Sequence, residues 1–283
     1  MLKAVVLKVG LLYLLLPLLA SAKAAQPTAF VSIPPQAWIL EQLTGERWRV
    51  ESMLGPDANP HNYDPVPRQL VSLADADLYF TIGVPFEAMW RQRIANVNAN
   101  MTFVHCGSDN HEAHSHDHDS HDGMDPHVWT SPLEASTIAE CMSNALSRYD
   151  PAGEQHYQRN LQQLQQRLRQ LDASIRQTLA DVKPRYMLVQ HPAWGHFAHT
   201  YDLTQLAIEK AGHEPNARHL VHVIERANEL GLNTVLVQRQ YSPAAARLVA
   251  RDIHGRIVEI DPMAPDLIAT LKRLTQILAV SAP

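Results

Sequence analysis

The sequence predicts an α/β protein with two small lobes, each a mainly parallel sheet flanked by helices, joined by one long rigid helix. Three observations lead to this prediction. Short apolar runs alternate with helical segments in the first half of the chain, which is typical of a parallel sheet covered by helices. A long polar segment then carries leucines at three- and four-residue steps. After Lys183-Pro184 the alternation of strands and helices begins again.

The first half is predicted to contain strands and helices in strict alternation. Each strand is a short run of apolar residues, and each helix shows an apolar position every three or four residues. Glycine and proline separate them, as at Gly45 and at Gly55-Pro56. The predicted strands are 29–33, 48–54, 78–82 and 101–105, and the predicted helices are 36–43, 68–74, 86–95 and 133–148.

The segment 154–182 is predicted to form the long connecting helix. Its apolar stripe lies on a surface of glutamine and arginine and consists of Leu161, Leu164, Leu168, Leu171, Ile175 and Leu179. A coiled-coil dimer is the alternative, but fewer than about four heptads and no paired charges beside the stripe favour a single helix in a monomer. The expected division is an N-terminal lobe at 26–149, a linking helix at 150–183 and a C-terminal lobe at 184–283.

The second half repeats the pattern of the first. Apolar strands again alternate with helices, and polar loops follow the strands. The predicted strands are 186–190, 203–208, 234–238 and 256–260, and the predicted helices are 197–201, 217–230, 243–253 and 266–280.

Residues 1–25 have the composition of a secretory signal peptide. Lys3 and Lys8 precede an apolar run at 9–20, and small residues follow at 20–24. The apolar run is short for a membrane span, although a retained anchor is the alternative. No cysteine stands at the expected cleavage site, so we expect a periplasmic protein without a lipid anchor.

The formal net charge is −5 at pH 7, and cleavage of a lysine-bearing signal peptide makes the remaining chain more acidic. A protein that binds nucleic acid needs a basic face to neutralise phosphates. The charge therefore argues against a nucleic-acid partner.

A histidine-rich tract occupies 105–123 and continues to His127. Imidazole and carboxylate are ligands for zinc, copper and nickel. The irregular spacing of the histidines indicates several weak auxiliary metal sites in a loop, and a solvated acidic loop is the alternative. These histidines are His111, His114, His116, His118 and His121.

The chain contains two cysteines, Cys106 and Cys141. In an oxidising compartment they could form a disulfide that joins the base of the His-rich loop to the following helix. Spacing alone does not show that the two sulfurs meet. The alternative is that Cys106 is a thiolate ligand beside His105.

Four loops place a candidate metal ligand beside a proline: His61, His127, His191 and Asp261. In open parallel sheets, ligands bind at the carboxyl ends of the strands. Two of the loops fall in each predicted lobe, so a cleft between the lobes would bring all four together. Three imidazoles and one carboxylate suit a divalent first-row metal. Taken singly, His61 and His191 could instead be turn residues, and Asp261 could be a helix N-cap.

The motifs around these four positions resemble the periplasmic metal-binding receptors of bacterial ABC importers, whose zinc and manganese members share one fold. The resemblance covers nearly all of the chain after residue 25. It implies two lobes joined by a long helix, a metal ion between them as the transported ligand, delivery to an inner-membrane permease, and His61, His127, His191 and Asp261 as ligands. The motifs that carry it are 55–65, 74–78, 125–129, 191–197 and 259–262.

The third ligand position bears on which metal is bound. Manganese receptors of this kind have a carboxylate at the third ligand position, where this chain has His191, so the resemblance favours the zinc branch and Zn²⁺ as the ligand. Departures from the pattern are Pro60, where some zinc receptors have an acidic ligand, and the segment after Asp261, which lacks the usual glycine-bearing turn.

Two other function classes were weighed. A zinc hydrolase would need an open coordination position and a general base, and the sequence has no HExxH motif, so we expect no enzyme. A periplasmic metal buffer or chaperone that never contacts a permease is the second alternative. The sequence has no permease-docking motif that would separate this from a receptor.

Overall fold

The computed structural model describes residues 26–107, 125–209 and 214–281. The predicted signal peptide at 1–25 lies outside these residues. So do the predicted auxiliary metal ligands His111, His114, His116, His118 and His121.

In the described residues, the first sheet has four parallel strands in the order β2-β1-β3-β4. Neighbouring strands pair in register over three or four residues, as where Phe30 lies opposite Glu51 on one side and Tyr79 on the other. The strands are β1 (Thr28–Val31), β2 (Arg49–Ser52), β3 (Leu78–Thr81) and β4 (Thr102–His105).

Four helices of the described first half each begin with a proline. The first N–H groups of a helix have no acceptor within it, so proline loses no hydrogen bond there, and its fixed φ favours the helix. The residue before each of these prolines has extended backbone, as the proline ring requires. The helices are α1 (Pro34–Thr44), α2 (Pro67–Leu73), α3 (Pro85–Val97) and α4 (Pro132–Tyr149).

Helix α5 (Glu154–Leu179) has 26 residues and connects the two sheets. At 1.5 Å per residue it is about 39 Å long. Its buried stripe contains Tyr157 and the six apolar residues predicted from the sequence. The helix packs against α1 and α4 of the first lobe and against the C-terminal helix of the second. It ends at Leu179 rather than at the predicted residue 182.

The second sheet repeats the order of the first, with four parallel strands in the order β6-β5-β7-β8 among the described residues. Its strands are β5 (Tyr186–Val189), β6 (Thr204–Ala207), β7 (Thr234–Val237) and β8 (Arg256–Glu259). Its helices are α6 (Gly195–Thr200), α7 (Ala217–Glu229), α8 (Ala244–Asp252) and α9 (Leu267–Ser281). The predicted fold class is therefore confirmed.

One continuous hydrophobic core runs through both lobes. It extends from the first sheet, for example Phe30 and Tyr79, through Leu168 of α5 to Leu236 of the second sheet and Leu271 of α9. A smaller, separate core lies between the second sheet and the helices α7 and α8. None of the helices in the described part of the chain combines the length and the apolarity that a membrane span requires.

Candidate metal centre

The four predicted ligands all lie in loops on the carboxyl side of the strands. His191 and Asp261 each stand two residues after a strand, β5 and β8 respectively. His61 lies in the loop between β2 and α2, and His127 precedes a single 3-10 turn that leads into α4. The predicted ligands of both sheets therefore lie at the edge where ligands bind in open parallel sheets.

The structure brings three of the predicted imidazoles together. The ring centroid of His191 lies 5.2 Å from that of His61 and 5.5 Å from that of His127. With a Zn–N distance near 2.0 Å and tetrahedral angles, two histidine ligands would place their ring centroids about 5.2 Å apart. The two centroid distances from His191 are therefore close to that expected of two imidazoles on one zinc ion.

His191 is held in the form that binds metal. Its side chain is 2% exposed, and its Nδ1 lies 2.9 Å from Oε2 of Glu209. Its Nε2 is buried and has no hydrogen-bond partner among the described residues. Burial lowers the pKa of His191 despite the opposing effect of the Glu209 carboxylate, so the ring is neutral at neutral pH. A neutral ring that donates Nδ1–H to a carboxylate presents Nε2 as the ligand nitrogen.

His127 has a carboxylate partner of the same kind. Its Nδ1 lies 2.6 Å from Oδ1 of Asp125, and the same oxygen accepts the backbone N–H of His127 at 3.0 Å. Burial alone would raise the pKa of Asp125, but the contacts with His127 outweigh burial and lower it. The ionised carboxylate orients the imidazole and leaves Nε2 as its ligand atom.

Neither carboxylate was predicted as a site residue. Asp125 belongs to a motif singled out in the sequence, but its role was not recognised. Glu209 stands two residues after β6, at the same sheet edge as His191 and Asp261. The strand-end rule that found the ligands could have found it, but Glu209 has no neighbouring proline to mark it.

His61 is an exposed residue on a loop that the structure fixes at both ends. Its backbone N–H is bound by Oδ1 of Asn59 at 2.9 Å. Beyond His61, Tyr63 in the loop and Gln69 in α2 both donate to the carbonyl of Met53, at 2.5 and 2.6 Å. Of the three clustered imidazoles, His61 is therefore the one that solvent reaches.

Asp261 is 5% exposed, and each of its carboxylate oxygens has a partner. Oδ1 accepts the N–H of Met263 at 2.8 Å, and Oδ2 accepts Nε2 of Gln240 at 2.9 Å. Nε of Arg239 lies 3.4 Å from Oδ2. Burial raises the pKa of Asp261, although these three groups act against it. Asp261 is thus buried at the predicted edge, but its hydrogen bonds are to protein groups.

Tyr241 packs against the imidazole cluster. Its ring stacks on His191 with centroids 4.4 Å apart and an angle of 18° between the planes. Burial raises the pKa of Tyr241, and the charges of Glu209 and Asp261 raise it further. No sequence motif marks Tyr241 as a site residue. Among the described residues, no group of three His, Cys, Asp or Glu side chains is close enough together to hold a metal ion.

The two cysteines of the chain are joined in the structure. The Cys106–Cys141 disulfide connects the residue after β4 to the middle of α4, with an S–S distance of 2.06 Å. Cys106 is therefore not a thiolate ligand. His196, which lies beyond His191, places its Nε2 3.1 Å from the carbonyl oxygen of Asp125.

A family model covers almost the whole described chain. The model of the zinc-uptake complex component A, periplasmic, known as ZnuA, matches residues 30–279. The chain belongs to the ZnuA family.

Solved ZnuA structures have the same fold as this member of the family. A crystal structure of ZnuA is 31% identical, covers 90% of this chain and 98% of its own, and superposes with a TM-score of 0.82. A ZnuA deletion mutant with zinc bound is also 31% identical and has a TM-score of 0.83.

Curated relatives of this ZnuA-family chain are more distant in sequence. The high-affinity zinc uptake system protein ZnuA of Bacillus subtilis is 25% identical over 84% of this chain and 78% of its own length. A putative metal-binding protein of Chlamydia muridarum is 26% identical over 87% of this chain and 88% of its own.

Membership of the ZnuA family confirms the main functional prediction. The chain is a zinc-binding receptor for uptake through an ABC importer, and its family acts outside the cytoplasm. Solute-binding receptors of this class bind a cargo ion and work with a permease.

Proposed function

We propose that this receptor captures Zn²⁺ between its two lobes, with His61, His127, His191 and Asp261 as the ligands, and delivers it to a permease in the inner membrane. The observation that carries the proposal is the buried, unpartnered Nε2 of His191 beside two further imidazoles. An unpaired buried nitrogen is unfavourable unless something binds it. A metal ion would supply the missing partner.

The donor set supports zinc over manganese as the cargo. Nitrogen ligands suit zinc, whereas manganese prefers carboxylate, carbonyl and water oxygens. Behind two of the imidazoles, Asp125 and Glu209 add negative charge and fix the rings. Both contributions raise the affinity for a cation that binds imidazole nitrogen.

We also propose that the protein is not an enzyme. Four protein ligands fill a tetrahedral zinc and leave no position for an activated water molecule. A metal ion that must be handed on to a permease requires capture and release, and no general base is needed for either step.

The His-rich tract is proposed to be an auxiliary site that raises the local zinc concentration. This role is assigned to His111, His114, His116, His118 and His121, whose spacing offers weak binding only. Deletion of residues 110–122 should leave one tight zinc site and remove the weak ones. Loss of the tight site in this deletion would refute the division of roles.

The remaining proposals concern the form of the mature protein. We propose cleavage of residues 1–25, a periplasmic monomer without a lipid anchor or nucleic-acid partner, and the lobe boundaries 26–149, 150–183 and 184–283. The mass of the exported protein tests cleavage and lipidation together, and sedimentation of the same sample tests the monomer. A mass that retains residues 1–25 or includes a lipid would contradict this proposal.

Competitive zinc and manganese titrations of the metal-stripped protein test the cleft. The variants are His61→Ala, His127→Ala, His191→Ala and Asp261→Ala, each compared with His222→Ala on the exposed surface of α7. Loss of a ligand should weaken tight zinc binding by more than about 100-fold, beyond the 10- to 100-fold typical of an outer-shell partner. His222→Ala should bind zinc as the unmodified protein does.

Two results would overturn the assignment. If the tight site survives His191→Ala and His127→Ala, the affinity resides elsewhere, and a metal buffer based on the His-rich tract becomes the better description. If manganese binds more tightly than zinc to the unmodified protein, the cargo assignment is wrong.

A further inference from the structure

Arg239 is the centre of an ionic cluster at the edge of the metal cleft. It stands two residues after β7, and its three nitrogens each approach a different carboxylate. Nε lies 3.4 Å from Oδ2 of Asp261, Nη2 lies 3.4 Å from Oε1 of Glu259, and Nη1 lies 3.5 Å from Oδ1 of Asp57. The first two carboxylates follow or end β8, whereas Asp57 belongs to the loop that carries His61.

The next residue, Gln240, makes the same two connections through one amide group. Its Nε2 donates to Oδ2 of Asp261 at 2.9 Å and to the backbone carbonyl of Pro56 at 2.7 Å. Arg239 and Gln240 therefore both contact the same oxygen of the proposed ligand Asp261. Both also reach across to residues 56–57 of the other lobe.

This shared oxygen sets up a competition between protein groups and a metal ion. Oδ1 of Asp261 accepts the N–H of Met263, and Oδ2 faces Gln240 and Arg239, so a cation that binds through Oδ2 must compete with both of these groups. A guanidinium near the same oxygen offsets its negative charge. The Asp261 side chain is buried, whereas that of Arg239 is 46% exposed, so water screens this interaction in part.

The competition does not affect all metals equally. A zinc ion would draw most of its binding free energy from imidazole nitrogens. The ion pairs of the Arg239 guanidinium are with carboxylates, and not with the three histidines of the cluster. A manganese ion prefers oxygen donors and depends more on the single carboxylate of this set. Weakening the carboxylate therefore penalises manganese more than zinc.

We propose that Arg239 is a selectivity-determining residue, which lowers the affinity for oxygen-preferring cations such as Mn²⁺ more than the affinity for Zn²⁺ by engaging Asp261. The proposal rests on the proposed function, because it takes Asp261 to be a ligand. Arg239 would thus disfavour manganese without being a metal ligand itself.

The test compares Arg239→Gln with Arg251→Gln in the full-length protein. Both changes remove one positive charge, but Arg251 is exposed on α8 and pairs only with its neighbour Asp252 in the described structure. We expect Arg239→Gln to raise Mn²⁺ affinity about tenfold, equivalent to about 1.4 kcal/mol. Zn²⁺ affinity should change by less than about threefold. The ratio of Zn²⁺ affinity to Mn²⁺ affinity should therefore fall. Arg251→Gln should leave both affinities unchanged.

A conservative variant separates selectivity from structure. Arg239→Lys keeps the charge but loses the fork that reaches three carboxylates, so its affinity ratio should lie between those of the unmodified protein and Arg239→Gln. A purely structural role would change both metal affinities in parallel, together with the melting temperature. Parallel changes, or an unchanged ratio, would overturn the proposal.

The experiment also distinguishes the two levels of inference. Zinc binding to His191→Ala is measured in the same series, with and without Arg239→Gln. If His191→Ala retains the tight site, the proposed function fails. If His191→Ala abolishes it while Arg239→Gln leaves the zinc-to-manganese ratio unchanged, only the role of Arg239 fails.

Discussion

Asp125 packs directly against the backbone of Gly195, so closely that a β-carbon at position 195 would lie 2.4 Å from its Oδ2. The two residues come from different lobes. Asp125 is also the carboxylate that orients His127. Because residue 195 is a glycine, there is space at the start of α6 for the Asp125 carboxylate that orients the proposed metal ligand His127.

Gly195→Ala is expected to weaken zinc binding. The added methyl group must displace the Asp125 carboxylate, and loss of a carboxylate partner typically reduces metal affinity about 10- to 100-fold. The same displacement costs about 1 to 3 kcal/mol of folding free energy, so the melting temperature should fall modestly. Calorimetric zinc titration and a thermal melt of the same sample measure the two effects.

Gly55→Ala is the matched control, since a β-carbon there would meet nothing within 4 Å. It should bind zinc normally. If Gly195→Ala also binds zinc normally, Asp125 does not support the site in the way the structure indicates.

Glu209→Gln should reduce zinc affinity, and Glu209→Ala should reduce it further. Glutamine keeps an oxygen that can accept Nδ1–H of His191 but loses the charge, whereas alanine loses both. A loss of about tenfold for glutamine and up to about 100-fold for alanine is expected from the usual effect of outer-shell partners. Glu225→Gln on the exposed face of α7 is the control. Equal affinities for all three variants would contradict the prediction.

Glu87 should make the fold more stable at acidic pH than at neutral pH, relative to a variant without this carboxyl. The side chain is 8% exposed and accepts the N–H groups of Ile82 and Gly83. Burial raises its pKa above the ordinary 4.5, in spite of these hydrogen bonds. In the pH range between the unfolded and the folded pKa, the native state binds more protons, so stability falls as pH rises through that range.

Urea unfolding from pH 7 down to about pH 4.5 measures this effect, with Glu87→Gln as the variant. The unmodified protein should gain stability relative to the variant as pH decreases. A difference that is independent of pH, or that grows towards neutral pH, would show that the pKa of Glu87 is not raised.

The Cys106–Cys141 disulfide should stabilise the fold without contributing to metal affinity. It closes a loop with a sequence separation of 35, for which the chain-entropy model gives about 3 to 4 kcal/mol. The double variant Cys106→Ser, Cys141→Ser should unfold at lower urea concentration and still bind zinc tightly. Loss of the tight zinc site would indicate that the disulfide positions the cleft.

Much of this structure could be predicted from local sequence patterns. Hydrophobic periodicity indicated the strands and helices, because each buries one face or stripe against the core. The prolines and strand ends around His127 and His191 indicated the cleft, since parallel sheets place their carboxyl ends on one side.

Contacts that depend on the packing of the two lobes could not be predicted. Arg239 meets Asp57, and Asp125 meets Gly195, only because distant segments converge across the cleft. Asp57, Asp125 and Gly195 lie within motifs around the predicted ligands, but these motifs do not show which residues meet across the cleft. Likewise, Tyr241 is one of several tyrosines until the fold stacks it on His191.

The continuous core that runs through α5 limits how much the structure of this receptor can change when it binds a metal ion. In a hinged binding protein the two lobes rotate towards each other around the ligand, because little more than a linker joins them. Here the apolar interior of one lobe continues into the other, so a wide rotation would expose it to water. Any difference between the loaded and the empty receptor that a permease recognises must therefore be small in extent and carried by the loops and side chains at the rim of the cleft.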